Sequence, residues 1–491
     1  MIVTISQMKT TEEAAFRNGI TSVDLIEVAG VGIAECIRQF FPQEGILIVF
    51  CGKGHNAGDS LIAARQLSDW GWRIIIRLAT PVSELAPLAR AHLEALPADT
   101  ISELPITGIT GCLVLLDGLL GIGSTGAPRG VIADRIAEMN QLRGINGAYS
   151  IAIDLPSGLN GTTGEVFEPC IQADLTITTG MVKSGLIADT ATSVVGRLAL
   201  VPLPGLLCDK GDVAEVLTAK SIRTLLPIRN FDSHKGTYGR IGILAGSRGY
   251  LGAARLATAA SVHAGGGLVT LYAQRENYEL LASLCIPEVM VQAVDSFLEV
   301  LLAKHDVLAI GPGMGRKHDE EILQIILESP LPCVVDADAL NAIASDLSIL
   351  SRCAGPRLLT PHPGEMERLF TAKGLSRRAW AEKFVTEYPV TLLLKGARTV
   401  IAEQGQPTSF NTTGNPGMGS GGMGDVLTGV CAALIGSGHT MRDAARIGAW
   451  ICGRAAEIAI FNGNESQESL AATSVINHLG VAYGSLRRGN Y

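Results

Sequence analysis

Asn411-Thr412-Thr413-Gly414-Asn415-Pro416-Gly417-Met418-Gly419-Ser420-Gly421-Gly422-Met423-Gly424-Asp425, running on into Val426-Leu427-Thr428-Gly429, is the stretch on which the reading of the chain turns. Its first part is dense in glycine and has almost no side chain to bury. From Asp425 onward the pattern becomes apolar at helical spacing, with Val426, Leu427, Val430, Cys431 and Leu434. A glycine-rich turn that feeds a helix leaves several backbone N–H groups unpaired and aimed the same way, which suits a phosphate. Asp425 is the single carboxylate at that helix start. Beside a bound phosphate it is poorly suited to touch the anion and well placed to take a proton from an attacking hydroxyl. An aspartate after a flexible loop can also be a plain N-cap. The preceding Asn415-Pro416-Gly417 and the run Gly421 to Gly424 favour the functional reading.

Upstream of this stretch, short apolar runs alternate with helical patterns, and nearly every run ends in glycine plus a polar group. Gly239 to Gly246 reads as a strand followed by the loop Ser247 to Gly252 and an Ala-rich helix from Ala253 to Ala264. Leu268 to Tyr272 and Val307 to Ile310 follow, the latter ending in Gly311-Pro312-Gly313-Met314-Gly315. Cys333 to Val335 ends in Asp336-Ala337-Asp338, Arg357 to Leu359 in Thr360-Pro361-His362-Pro363-Gly364-Glu365, and Val390 to Leu394 in Lys395-Gly396-Ala397-Arg398. Strands alternating with helices at this spacing predict a parallel, doubly wound α/β sheet, with the polar strand ends on one rim.

The first half repeats the logic with different motifs. Residues 10 to 41 read as helical. Ile46 to Cys51 is a continuous apolar run that leads into Gly52-Lys53-Gly54-His55-Asn56-Ala57-Gly58-Asp59-Ser60, read as a polar loop, and then into a helix. Trp72 to Leu78 is a further strand, Leu85 to Leu96 a further helix, and Leu175 to Thr179 a late strand before Gly180-Met181-Val182-Lys183. Cys112 to Asp117 ends in Gly118 to Gly126, and Tyr149 to Asp154 ends in Leu155-Pro156-Ser157-Gly158. In a parallel sheet such ends lie along one edge, so the 55–59 segment, Asp117 and Asp154 converge on one crevice. A lone aspartate after a strand is usually a helix cap; three such ends beside glycines favour a site. Residues 210 to 229 read as a connecting segment, which puts the domains at 1–214 and 215–491.

The bulk numbers agree with two folded domains. A chain of 491 residues is too long for one ordinary core, and 47% hydrophobic with 18% charged residues leaves little room for disorder. A net charge of −8 does not favour a nucleic-acid partner. The ten cysteines form no C-x-x-C pair, which argues against a zinc site or disulfide framework and for a reducing compartment. Neither a signal-peptide profile nor an unbroken membrane-length apolar run stands out. The expectation is a cytoplasmic protein without a membrane partner.

With these motifs in place, the chain resembles, along essentially its whole length, the bifunctional NAD(P)H-hydrate repair enzymes. That family joins a Rossmann-like NAD(P)H-hydrate epimerase to a ribokinase-like, ADP-dependent (S)-NAD(P)H-hydrate dehydratase. The dehydratase resemblance rests on the 415–429 stretch, Thr360 to Glu365, Asp336-Ala337-Asp338-Ala339-Leu340-Asn341 and Leu394-Lys395-Gly396. In the epimerase half the family's loop usually reads Asn-Asn-Gly-Gly-Asp-Gly; Asn56, Gly58 and Asp59 keep it, while His55, Ala57 and Ser60 depart. The resemblance implies that His55, Asn56, Ala57, Gly58 and Asp59, with Gly121, Ile122, Gly123, Ser124, Thr125, Gly126 and Ala127, hold the hydrate. Asp154 then stands at the reacting ring, and Asp154 or Asp59 serves as the acid of the epimerase. Asn56, Asp117 and Ser157 are implied ligands of a potassium ion. In the second half Ala253, Gly315, His362 and Asp425 are implied to line the hydrate pocket. Lys395, Gly396, Ala397, Arg398, Thr399 and Gly424 are implied to hold ADP, with Asp425 as the catalytic base. Magnesium is expected with the nucleotide, reached through water from Glu365. The substrates implied are the hydrates of NADH and NADPH (NADHX and NADPHX), and a homo-oligomer is expected.

Two other classes compete. A ribokinase-like kinase of a small alcohol, with a non-catalytic ligand-binding module in front, uses the same glycine loop and aspartate but leaves a stable phosphate ester. A Rossmann dehydrogenase fits less well, because no G-x-G-x-x-G follows a first strand.

Overall fold

The structure, a computed structural model, describes residues 1–491 apart from 98, 105–110, 209–210 and 464, and apart from the side chains of 145 and 146. The chain divides into two compact units, Met1–Val216 with Tyr491 and Leu217–Asn490. Among the described residues no helix is long and apolar enough to cross a membrane.

In the first unit the apolar runs become β1 (Ile46–Cys51), β2 (Arg73–Leu78), β3 (Leu113–Gly118), β4 (Tyr149–Ile153), β5 (Leu175–Thr179) and β6 (Arg197–Val201). They form one sheet in the order β2-β1-β3-β4-β5-β6, every pair parallel. Every residue of β1 and β3 is buried, as expected for strands covered on both faces. The chain turns to one side from β1 to β2 and to the other side at β3. The carboxyl ends of β1 and β3 therefore flank a topological switch point, where open α/β sheets bind ligands.

Two readings of this unit need correction. Residues 10 to 41 are not one helical stretch: α1 (Ile5–Arg17) ends before Gly19 at φ +92°, and α2 (Ser22–Phe40) starts afresh from a Thr21–Asp24 capping box. The 55–59 segment is not a loop but the first turn of α3 (His55–Asp69), capped by Gly54 without any side-chain bond.

The second unit is built on β7 (Arg240–Leu244), β8 (Leu268–Gln274), β9 (Val289–Val294), β10 (Val307–Ile310), β11 (Cys333–Val335), β12 (Arg357–Leu359), β13 (Thr391–Leu394), β14 (Val400–Ala402) and β15 (Ser409–Phe410). They run in the order β9-β8-β7-β10-β11-β12-β13-β14-β15, with a switch point between β7 and β10. The expectation of a parallel sheet holds up to β13. β14 and β15 are antiparallel additions, because Lys395–Thr399 is too short for the crossover that a parallel neighbour requires. β9 goes unread in the sequence because it is an edge strand buried only at its ends, Val289 and Val294, and so lacks a continuous apolar run.

α4 (Leu251–His263), α5 (Pro363–Leu369), α6 (Arg377–Glu387), α7 (Met423–Gly436) and α8 (Met441–Phe461) carry or support the second site. α7 starts two residues earlier than the sequence suggests, at Met423, from Gly422 at φ +91°. Its residues Val426–Ile435 are all buried, so the helix is held on every side and fixes whatever its first turn presents. The connecting segment also contains structure of its own, a helix at Ala219–Ile222 capped by Thr218.

Candidate functional site

In the first unit the switch point brings together three oxygen-bearing side chains, Asn56, Asp117 and Ser157. Asn56, 7% exposed in the first turn of α3, donates from Nδ2 to Leu120 O at 2.8 Å and to Ile153 O at 3.2 Å, which ties the ends of β3 and β4 together. Its Oδ1 is thereby turned away from these carbonyls. Asp117 is fully buried at the end of β3 and accepts from Leu119 N (3.1 Å), Ser157 N (2.8 Å) and Ser157 Oγ (2.7 Å). Ser157 Oγ in turn accepts from Leu120 N at 3.0 Å. Burial pushes the Asp117 carboxyl up to about 6 against these three donors. An oxygen-only set around a buried carboxylate is the chemistry of a hard cation, and such an ion would compensate that burial. The loop Gly121–Ala127 starts against this group: a Cβ on Gly121 would lie 3.5 Å from Asn56 Cγ. From Gly123 to Ala127 it is exposed, as is His55.

Asp154 follows β4 at φ +64°, a left-handed conformation that aspartate tolerates better than most residues. Its Oδ1 accepts from Thr178 Oγ1 (3.2 Å), Thr179 N (3.3 Å) and the Lys183 ammonium. Asp59 is 8% exposed on α3, and among the described residues its Oδ1 has no hydrogen-bond partner. Burial and then the Asp154 charge hold the Asp59 carboxyl well above its usual range. Ala57 is fully buried in the same turn. Its methyl packs in the interior and does not line the crevice.

In the second unit the polar groups gather on the mouth of α7. Asp336, 1% exposed, follows β11; its Oδ1 accepts from Lys395 Nζ at 2.7 Å and its Oδ2 from Thr428 Oγ1 at 2.8 Å. Lys395 Nζ also lies 3.8 Å from Glu365 Oε2. Burial would lower the Lys395 ammonium, but the Asp336, Glu365 and Asp425 carboxylates outweigh it and the ammonium is raised. Asp425 sits beside this pair and is pushed up to about 7 by burial and then by Asp336, with Lys395 opposing. Gly424 lets the helix mouth close on the pair, since a Cβ there would stand 3.2 Å from Lys395 Nζ. Among the described residues Gly421 has no atom within 4 Å of where a Cβ would be, so the chain is open on that side of the turn.

The other candidates of this half border the same edge. Gly315, at φ +69°, donates from N to Asp338 Oδ2 at 2.7 Å and stands close to Ser247, across the switch point between β10 and β7. Ala253 packs beneath this loop, where a Cβ on Gly313 would approach it to 3.0 Å. His362 caps α5: its Nδ1 accepts from Gly364 N (3.0 Å) and Glu365 N (3.3 Å), and its side chain remains 52% exposed. Glu365 Oε2 accepts from His362 N at 2.8 Å, so the capping box uses one oxygen of the carboxylate that was expected to reach magnesium. Lys395–Thr399 turns sharply through Gly396 (φ +132°) and Arg398 (φ +57°), with Thr399 Oγ1 donating to Gly396 O at 3.0 Å.

Three residues of these sites carry no motif in the sequence. Lys183 forms the buried ion pair with Asp154. Arg377 on α6 donates to Ala397 O, Arg398 O, Leu394 O and Lys395 O, which clamps the turn from behind. Glu457 on α8 is 1% exposed; it accepts from Gly414 N at 2.9 Å and from Arg454 at 2.8 Å, which fixes the start of the glycine stretch. A cleft of about 500 Å³ opens at the amino ends of β11, β12 and β13, lined by Pro332, Pro356 and Val390; none of the groups described above lines it.

Two doubly wound sheets, each with a polar crevice at its switch point, define a two-domain α/β enzyme with two separate candidate active sites. A family model described as NAD(P)H-hydrate dehydratase matches residues 241–478, and one for the YjeF-related protein N-terminus matches 22–185. The bifunctional NAD(P)H-hydrate repair enzyme Nnr of Moorella thermoacetica is 37% identical over 93% of this chain and 92% of its own length. The enzyme of the same description from Coxiella burnetii is 34% identical over 97% and 98%. An ADP/ATP-dependent NAD(P)H-hydrate dehydratase from Bacillus subtilis, solved with ATP/Mg2+, is 27% identical at a TM-score of 0.49, over 56% of this chain and 99% of that one. This chain belongs to the family of bifunctional NAD(P)H-hydrate repair enzymes.

Proposed function

We propose that the chain repairs hydrated NADH and NADPH, the first unit interconverting the R and S hydrates and the second dehydrating the S form at the expense of ADP. The observation that carries the second activity is Asp425, a raised carboxyl at a glycine-lined helix mouth, beside a lysine that is already paired. The hydrate bears a hydroxyl on C6 of the reduced nicotinamide ring, and hydroxide is a poor leaving group. Asp425 takes the hydroxyl proton as that oxygen bonds to the terminal phosphorus of ADP, and the bond from phosphorus to the AMP oxygen breaks. The 421–424 amides and Lys395 steady the negative charge on the phosphoryl group in flight. The ring nitrogen then expels C6-bound phosphate, loss of a C5 proton restores NAD(P)H, and AMP and phosphate leave.

Around Lys395 stand Asp336, Glu365 and Asp425, three carboxyls to one ammonium, an environment that suits an added divalent cation. Among the described residues no group of three or more His, Cys, Asp or Glu forms a metal cage. Magnesium would therefore come on the nucleotide phosphates, whose charge it neutralises, and Glu365 would hold it through water. Lys395 to Thr399, shaped by Arg377, would cradle ADP, while Ala253, Gly315 and His362 would border the hydrate.

In the first unit Asn56, Asp117 and Ser157 would hold potassium, which supplies a fixed positive charge near the substrate. Gly121 to Ala127 and the first turn of α3 would seat the hydrate. Asp59, whose carboxyl its surroundings raise, would give its proton to the C6 hydroxyl as the C–O bond breaks, with Asp154 facing the positive charge that develops on the ring. Water then adds to either face of the planar C6 and gives one proton back to Asp59, which completes the interconversion. The test is to supply mixed R and S hydrates with ADP and follow the reduced-nicotinamide absorbance. Full recovery supports both activities, recovery of half the mixture leaves the epimerase reading unsupported, and a stable phosphate ester without recovery identifies a kinase instead.

A further inference from the structure

Residues 2–17 fall outside both matched spans, yet they are bolted to the first unit's crevice. Ile2 and Val3 pair in parallel with Val182 and Lys183. Ile5 N, at the start of α1, donates to Thr162 Oγ1 at 3.1 Å. Met8 on α1 is 1% exposed and packs with Val3, Met181 and Ile122, the last of these in the loop expected to hold the hydrate. Gly180 at φ +70° makes room for it: a Cβ there would come within 2.9 Å of Met8 Cε. The segment therefore grips the 180–183 turn, and what that turn carries is Lys183.

The Lys183 side chain is 1% exposed, and its ammonium donates to Asp154 Oδ1, Thr178 Oγ1 (3.2 Å) and Thr179 O (2.8 Å), which uses its three protons. Among the described residues every bond to the Asp154 side chain goes to Oδ1. The network thus fixes one oxygen and leaves Oδ2 to the crevice. Glu12, half-buried on α1, faces the same pair, and burial raises it while Lys183 opposes and Asp154 adds to the rise.

We propose that residues 2–17 are a working part of the epimerase site: by gripping the 180–183 turn they hold the Lys183 ammonium on Asp154, which aims the remaining carboxylate oxygen at the reacting ring. This rests on the first unit being the epimerase. Lys183 is a positioning residue, acting through Asp154, and Met8 acts through Lys183. A neutral side chain of similar length at 183 frees the carboxylate to rotate, whereas arginine keeps a cation at the same depth.

The test uses the full-length protein and the variants Lys183→Met, Lys183→Arg, Met8→Ala and the double variant Met8→Ala/Lys183→Met. Exchange between R and S hydrates is followed by NMR with ADP withheld. Dehydration of the S form with ADP, on the same samples, reports on the second unit. Lys183→Met is expected to slow exchange on the order of 100-fold, with Lys183→Arg recovering most of the loss. Met8→Ala is expected to slow exchange about tenfold alone and to add nothing in the Lys183→Met background. Unchanged exchange in Lys183→Met, or an equal Met8→Ala effect in both backgrounds, overturns the proposal. If Lys183→Met does not fold, the same cycle with Lys183→Gln, which also removes the cation, decides it, and an additive result there overturns it equally. A wild-type protein that exchanges no hydrate removes the epimerase reading, whereas wild-type exchange with additive variants removes this proposal alone.

Discussion

The Lys395 ammonium is held 2.7 Å from Asp336 Oδ1, whereas Asp425, the next carboxyl along, has no such bond among the described residues. Lys395 therefore neutralises Asp336 first and only moderates Asp425, which is left as the group able to gain and lose a proton near neutrality. Asp425→Asn keeps the shape and removes the base. It is expected to lower the dehydration rate by a factor on the order of 10²–10⁴ with nucleotide affinity nearly unchanged. Titration of ADP binding beside single-turnover rates checks this, and turnover at the wild-type rate would refute the assignment.

A base must be ionised to act, so kcat/KM for dehydration should fall as pH drops below about 7 and level off above it, following the raised Asp425 carboxyl. The sign for stability is opposite. A carboxyl whose folded value lies above its unfolded one costs no stability below the unfolded value of 3.8, and the cost grows as pH rises to about 7. Asp425→Asn should accordingly raise Tm at pH 8 and leave it unchanged near pH 3.5. Lys395→Met removes the charge that holds Asp425 down and should move the activity limb to higher pH. A flat profile from pH 5.5 to 8.5 would separate Asp425 from the chemistry.

Arg377 touches four backbone carbonyls of the Leu394–Arg398 turn and lies outside the reacting groups. Arg377→Met leaves these acceptors without their donor and lets the turn open. The expected result is a KM for ADP raised on the order of tenfold with kcat changed less than about threefold. A drop in kcat with KM intact would mean that the arginine serves the chemistry and not the shape of the turn.

What the sequence discloses and what it hides follow from distance along the chain. β1, β3, β4 and β10 are legible because each is a short apolar run covered on both faces, and for the first three the polar residue that follows is in view at once. Asn56, Asp117 and Ser157 can be grouped because parallel strands bring their ends to one edge. Lys183 cannot, since its partner lies 29 residues away and its place depends on a two-residue pairing with Ile2–Val3. Asp336 with Thr428, 92 residues apart, is hidden for the same reason. The antiparallel pair β14–β15 escapes because its strands are too short to show a period.

Ala57 departs from the family's usual glycine, yet it is fully buried in the first turn of a helix and needs no positive φ. Ala57→Gly is therefore expected to leave hydrate exchange no faster and to cost about 1 kcal/mol of stability through lost helix propensity and packing. Denaturant unfolding beside the NMR exchange assay measures both. A faster epimerase with unchanged stability would put the methyl in the ligand's way after all.

Asp154→Asn tests whether the two sites work separately. Asparagine accepts the left-handed backbone at this position and fills the same space, but it leaves the buried Lys183 ammonium without a counter-charge. Removing one partner of a buried pair is costly, about 3–5 kcal/mol where the charge stays unpaired. The first unit should therefore melt earlier while the second keeps its own transition. R-to-S conversion should vanish, and the S hydrate should still be dehydrated with ADP at the wild-type rate. Because Lys183 is then the destabilising group, Lys183→Met added to Asp154→Asn should restore most of the lost stability and none of the conversion. If dehydration of the S hydrate falls together with conversion, the two active sites depend on each other and the division of labour proposed for the units is wrong.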